Sequence, residues 1–303
     1  MELGQLTKKE QVFTWLKKHL FAMIIGTMIL AYILSMLLPV LWAFWTSFRT
    51  YRGFLEAPFG QAGKLTFDNY VTVLNEMKIT SMASDGGRRV IYIEEMLANS
   101  LLMSFILPIA SIIPACTVGY VMAKYDFKFN KVLMGIIVAL MTLPSVGGVA
   151  GEIAILKLIG LYDSFFGLVA LKFFFTGTWT LVYLSAFEGI SWDYAEAVFL
   201  DGGGHFTAFF KVMVPFTLPF HTTYYIMLMI GNWASYGYTL YYTPSIVNFA
   251  YGLYWAKFAI PKLQRETVYF ASSFLLVIPV AATFLIFSDK MMGDGIRLGG
   301  LKG

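Results

Sequence analysis

Residues 194–219 read YAEAVFLDGGGHFTAFFKVMVPFTLP, a compact polar interruption late in a very apolar chain. Ser191 just before it can cap a helix start, and Asp193 in a first turn suits the helix dipole. Ala195, Glu196 and Ala197 continue a short helix until Asp201-Gly202-Gly203-Gly204, which is too rich in glycine to stay helical. A turn must follow. His205 to Met213 resumes a helical pattern, and Pro215 and Pro219 bend the entry into the next apolar run. A short helix, a tight turn and a second helix make a stiff knob, in which Ala195 and Ala197 permit close backbone approach and Glu196 offers a charge to a basic partner.

What surrounds the knob is set by composition. Hydrophobic residues are 58% of the 303-residue chain and charged residues 13%, whereas a soluble domain carries roughly 25% charge. A soluble core cannot absorb so much apolar surface, so the relevant count is of membrane spans, each of about 20 apolar residues. Six are expected, near 20–48, 96–123, 132–154, 164–187, 212–233 and 267–288. The predicted class is therefore all-α, a polytopic membrane protein with six transmembrane helices whose loop 188–211 joins spans 4 and 5. Residues 1–19 form an N-terminal segment, 20–290 the membrane domain and 291–303 a tail. The first apolar run has no small-residue cleavage pattern and reads as a retained helix. A lone cysteine, Cys116, excludes an internal disulfide, and the net charge of +4 is too small to suggest nucleic acid.

Lysine and arginine divide almost evenly between the two sides of this topology. The short connection bearing Lys124, Lys128 and Lys131 tilts the choice, placing both termini and the 188–211 loop inside. Residues 49–95 and 234–266 are then outer segments. The first carries turn-forming glycines and a short amphipathic helix opened by Leu65-Thr66-Phe67-Asp68-Asn69-Tyr70; the second is rich in tyrosine and tryptophan, which suit the membrane surface.

Site candidates follow from the cost of charge in lipid. Lys172 falls within the fourth span and Glu152 near the outer end of the third, where they can face one another. With Asn232, Trp233 and Tyr236 they are candidates for a translocation path, since aromatic faces and hydrogen-bonding groups suit a sugar. The bland alternative has Lys172 snorkelling and Glu152 ending a helix. No metal site or catalytic constellation emerges from His19, His205 and His221, and His221 reads as a structural residue of the fifth span. The glycines at 293–300 lack the Gly-Lys-Ser/Thr ending of a phosphate loop, so no cofactor is expected on this chain.

Taken together, Glu196-Ala197-Val198, Gly202 and Val212-Met213-Val214-Pro215 resemble the EAA loop of ATP-binding-cassette permeases. Further segments are similar to the inner permease subunit of maltose-type carbohydrate importers: Asn99-Ser100, Gly119-Tyr120, Ala123-Lys124-Tyr125-Asp126-Phe127, Leu143-Pro144-Ser145, Gly160-Leu161-Tyr162-Asp163-Ser164 and Gly299-Gly300-Leu301-Lys302-Gly303. The resemblance covers most of the chain. Val198 stands where the family has alanine, and Gly203-Gly204 where alanine and a small polar residue are usual. The resemblance implies a bacterial inner-membrane subunit without its own ATPase site. Its implied partners are a second homologous permease chain, two ATP-binding-cassette subunits that hold ATP and magnesium, and an extracellular solute-binding protein. In this picture Glu196, Ala197, Asp201, Gly202 and Pro215 belong to the ATPase-coupling loop. The other class left open is a secondary active transporter of a small polar solute, which needs acidic or unwound-helix ion sites of its own.

Overall fold

A computed structural model describes residues 8–60, 63–82, 87–142, 148–173 and 177–293. The chain divides into two compact units, Met1–Val73 with Arg265–Ala271, and Leu74–Gln264 with Ser272–Gly303. In the first, helix α1 (Lys8–Ser47) includes a 29-residue stretch, His19–Ser47, of mean hydropathy 2.3 with its apolar side chains exposed. Such a surface is stable only against lipid or another apolar chain. A short helix α2 (Tyr51–Glu56) follows, its N-terminus capped by Thr50. Arg49, 2% exposed, donates to the carbonyls of Gly53, Ala57 and Pro58. A guanidinium set on the carbonyl end of a helix answers that helix's dipole. Asn69 joins the end of α1 to this arrangement by donating to the carbonyls of Ser47 and Arg49.

Helix α3 (Asp68–Glu76) is the short amphipathic helix expected from 65–70. The class all-α needs correction immediately after it, because strands β1 (Lys78–Met82) and β2 (Arg88–Tyr92) form an antiparallel hairpin. The cause is local: β-branched residues favour pleated backbone, and Ile79 pairs with Ile91 with both side chains buried.

Helix α4 (Ile93–Lys124) is the axis of the second unit. It is followed by α5 (Asn130–Thr142), α6 (Gly148–Leu158), α7 (Phe165–Lys172) and α8 (Gly177–Glu188). After these come α9 (Asp193–Leu200), α10 (His205–Ala208), a π-helical turn at Phe209–Met213, α11 (Val214–Phe216) and α12 (Leu218–Ala234). A second π-helical turn at Tyr238–Tyr242, α13 (Phe249–Ala259) and α14 (Glu266–Gly293) complete the order.

Among the described residues, three helical stretches are long and apolar enough to cross a membrane: His19–Ser47, Ile93–Lys124 and Glu266–Thr283. A fourth is added if α7 and α8, which meet at 52°, count as one broken span. The expected third span falls on α5 and α6, short helices on either side of 143–147, and the expected fifth on α12, 17 residues long; none of these is by itself long enough to count as a crossing. Leu143-Pro144-Ser145 and the tail from residue 294 lie outside the described residues.

Small residues set the packing of α4 on α8. A Cβ at Gly119 would stand 2.7 Å from Cβ of Tyr183 and 2.9 Å from the Leu184 nitrogen, so the backbones approach as only glycine allows. Above this contact, Asn99 donates to the Val247 carbonyl and Ser100 accepts from the Phe249 N–H, which fixes the start of α13 against α4. Asn248 caps α13 and also holds Ser235.

Candidate functional site: a capped knob and a polar cluster

Ser191 accepts from the Asp193 N–H at 3.2 Å, so the expected cap acts one residue ahead of the position that structurally opens α9. Asp193 and Glu196 occupy the first turn of α9, where carboxylates are favoured by the dipole. At the other end the Gly203 N–H reaches the Val198 carbonyl at 2.8 Å and the Gly202 N–H reaches that of Phe199 at 3.0 Å. This pair of bonds is a Schellman stop. Gly202 has φ of +81°, a conformation that side chains with a Cβ strain to adopt. Gly203 is needed for a different reason, since a Cβ there would stand 2.5 Å from Cγ1 of Val198.

The helix restarts at His205, and the two limbs are stitched to the helices behind them. Lys124, at the end of α4, donates to the Ile190 carbonyl. The Tyr125 hydroxyl is 2.8 Å from Nδ1 of His205, and the Tyr125 ring meets Trp192 edge-on. Tyr120 packs against Phe187 and Phe209 with centroids 5.3 and 4.7 Å away; each such ring pair adds about 0.5–1.5 kcal/mol beyond its burial. Ala195, Ala208 and Met213 are buried in the same cluster as Cys116, Tyr183 and Tyr224. The knob is therefore continuous with the core where α4, α8 and α12 meet.

Glu196, Ala197, Asp201, Gly202 and Pro215 are all exposed. The most exposed large apolar side chains on the knob are three that the motif reading passed over: Leu200 at 89%, Phe206 at 81% and Phe210 at 62%. Their signal was present in the sequence as large apolar residues flanking a polar glycine turn, where a solvated loop would carry none.

Beneath the knob, His221 on α12 is held on both ring nitrogens. The Tyr183 hydroxyl lies 2.5 Å from Nδ1 and Thr217 Oγ1 lies 3.2 Å from Nε2. Trp179 stacks on Tyr224 at 4.0 Å, a second clamp between α8 and α12. The structural reading of His221 agrees with these contacts.

The five candidates for a translocation path separate. Glu152 and Lys172 do not pair with each other. Glu152 instead accepts from the Tyr242 hydroxyl, and the Lys172 ammonium stands 5.1 Å above the Tyr238 ring. The Tyr238 hydroxyl donates to Asn232 at 2.6 Å. Both tyrosines belong to the π-helical turn, which thus gathers Glu152, Lys172 and Asn232 into one polar cluster. Asp163 adds to it by donating its N–H to the Tyr242 carbonyl and accepting from Ser245. Burial, and then the Glu152 carboxylate, push the Tyr242 hydroxyl above the usual phenol range. Trp233 is buried and donates to the Leu276 carbonyl, while Tyr236 lies exposed and stacked on Tyr254 with rings 4.8 Å apart.

Residues 115–245 match the family of binding-protein-dependent transport system inner membrane components. The chain is 26% identical to the sulfoquinovosyl glycerol transport system permease of Agrobacterium fabrum, over 88% of this chain and 89% of that protein. It is also 26% identical to the trehalose transport system permease of Mycobacterium tuberculosis, over 92% and 96% of the two chains. Among solved structures, a chain of a bacterial ABC transporter that imports the acidic polysaccharide alginate superposes with a TM-score of 0.73 at 19% identity, covering 90% of this chain and 97% of that one.

Proposed function

We infer, from the match of residues 115–245 to the inner membrane components of binding-protein-dependent transport systems, that this chain is the membrane-spanning permease subunit of an ATP-driven importer for a sugar or oligosaccharide. The relatives named for sulfoquinovosyl glycerol and trehalose support the substrate class. Six spans complete the subunit: α1, α4, α5 with α6, α7 with α8, α12 and α14. Both termini and the knob face the cytoplasm, and the hairpin with α13 faces the solute-binding protein. A second homologous permease covers part of the exposed apolar surface, and two ATPase subunits supply ATP and magnesium.

One observation carries the mechanism: the stiff knob exposes Glu196 on its first helix and Leu200 and Phe206 beside its turn, while Ala195 and Ala208 are buried against the core of α4, α8 and α12. A partner that grips the tip and moves can turn those helices, since the Schellman stop and the Tyr125–His205 and Lys124–Ile190 bonds leave little slack between tip and core. Closure of the ATPases then tilts the helices and switches the path between inward and outward access. The polar cluster around Tyr238 and Tyr242 lies at the outer end of that path.

The test is to purify the complex with its co-purifying chains and measure ATP hydrolysis with the binding protein and trehalose, maltotriose or diacetylchitobiose. Stimulation by one of them is expected. Glu196→Lys and Gly202→Pro should dissociate or uncouple the ATPase while the chain still inserts. Wild-type uptake in both variants would remove the knob from the mechanism.

A further inference from the structure

Between α4, α12 and α14 lies a groove made of two adjoining cavities, of about 310 Å³ and about 70 Å³. They share Phe105, Met229 and Thr283 in their walls. The larger also has His221, Thr222 and Tyr225, and the smaller has Ser104 and Trp233.

The polar groups of this wall are arranged in one sense. Thr222 donates its hydroxyl proton to the Leu218 carbonyl, Thr283 to that of Pro279, Tyr225 to that of Phe105, and the Trp233 N–H to that of Leu276. Both ring nitrogens of His221 are engaged behind the wall. What the three hydroxyl oxygens retain is accepting capacity. Ser104 differs, for it is 1% exposed and its Oγ has no hydrogen-bond partner among the described residues. A buried hydroxyl left unmet is unfavourable.

These facts discriminate between occupants. A lipid chain or an apolar helix face brings no donors, leaving the oxygens idle and Ser104 unmet. A sugar ring brings several hydroxyl donors on its rim and presents C–H faces to side chains such as Phe105. The larger cavity sits at the low end of the roughly 300–1,000 Å³ range of small-molecule sites, which suits a single ring rather than a long chain. We propose that this groove is a solute subsite on this chain, holding one ring of a polyhydroxylated solute in the larger cavity with Thr283 Oγ1, which lines both cavities, as a polar contact, and a hydroxyl of that ring reaching Ser104 Oγ through the smaller one. The proposal rests on the importer reading and places the recognition away from the Glu152 and Lys172 cluster.

The test uses the reconstituted complex with its binding protein and, as probe, whichever of trehalose, maltotriose and diacetylchitobiose stimulates the wild type most. Ser104→Ala and Thr283→Val should each lower probe uptake about tenfold while melting within about 2 °C of the wild type, a shift too small for a packing defect. In a Cys116→Ala background, methyl methanethiosulfonate should modify Ser104→Cys at least about fivefold more slowly during turnover of the probe, with Phe258→Cys unaffected as a control. Wild-type uptake in both substitutions together with no protection of Ser104→Cys overturns the subsite and leaves the groove to water or lipid, with the importer intact. Failure of all three sugars to stimulate the wild type overturns the importer reading and the subsite with it.

Discussion

Gly202 and Gly203 are neighbours with different physical duties. Gly202 is held at positive φ, so Gly202→Ala should cost about 1 kcal/mol in backbone strain and weaken ATPase retention on purification. Gly203 faces Val198, and Gly203→Ala drives a methyl into Cγ1 and the carbonyl of that residue. Overpacking of this kind costs about 1–3 kcal/mol. Adding Val198→Ala should restore part of the lost melting temperature, because the carbonyl contact at 2.9 Å persists; a double variant no more stable than Gly203→Ala alone would separate the two positions. The turn itself was legible in the sequence, since three glycines after a short helix admit little else. The fit of Val198 to Gly203 was not. Each reads as a separate departure from the EAA pattern, and only the closeness of Val198 to Gly203 across the turn shows that they compensate.

At the scale of elements, the π-helical turn Tyr238–Tyr242 is what sequence reading missed most. Periodicity sorts residues by face, and a run of tyrosines and threonine offers no contrast from which an extra residue per turn could be read. Glu152, Lys172 and Asn232 were visible as polar residues in apolar surroundings, but their organiser was not, because Tyr238 and Tyr242 act over 66 and 90 residues of separation from Lys172 and Glu152. Tyr242→Phe should release Glu152 and raise proteolytic cleavage within 236–248, with α12 still inserted; unchanged cleavage would show that the turn holds without that bond. On the same side of the chain, Lys262 after α13 pairs with Glu76 at the end of α3 at 2.6 Å. The hydrogen bond and charge of Lys262 hold the Glu76 carboxyl below its usual range. A depressed carboxyl stabilises the fold above its unfolded value of about 4.3 and loses that contribution as pH falls through the folded value. Protection factors of the amides at 70–78, taken relative to the intrinsic exchange rate at each pH, should therefore fall on acidification in the wild type, and Lys262→Met should flatten that response. The pair lies at the surface, with the Lys262 side chain 57% and that of Glu76 33% exposed, so the effect is small and screened by salt.

For the whole molecule, the arrangement of spans was read from uncharged runs, which are most informative where helices are continuous. The stretches long and apolar enough to cross a membrane in α1, α4 and α14, His19–Ser47, Ile93–Lys124 and Glu266–Thr283, overlap the first, second and sixth of these runs. They were less informative where helices break, because hydropathy averages across a bend: α7 meets α8 at 52°, and α12 is reached through a π-helical turn and Pro215. Short broken helices at membrane depth are tolerated only when neighbours or a cavity satisfy the freed backbone groups, and α4 supplies such a neighbour through its contact with α8 at Gly119. Side of exposure is the quantity that decides the whole scheme, since a knob on the outer face cannot meet an ATPase. In a Cys116→Ala background, Asp201→Cys should react with a membrane-impermeant maleimide in inverted vesicles and be protected in intact spheroplasts. Lys257→Cys on α13 should behave in the opposite way, both positions being exposed. An even number of crossings between residues 201 and 257 would put both cysteines on one side. The single crossing of α12 requires that they differ, so labelling of both from the same side would remove α12 as a span and carry the six-helix arrangement away with it.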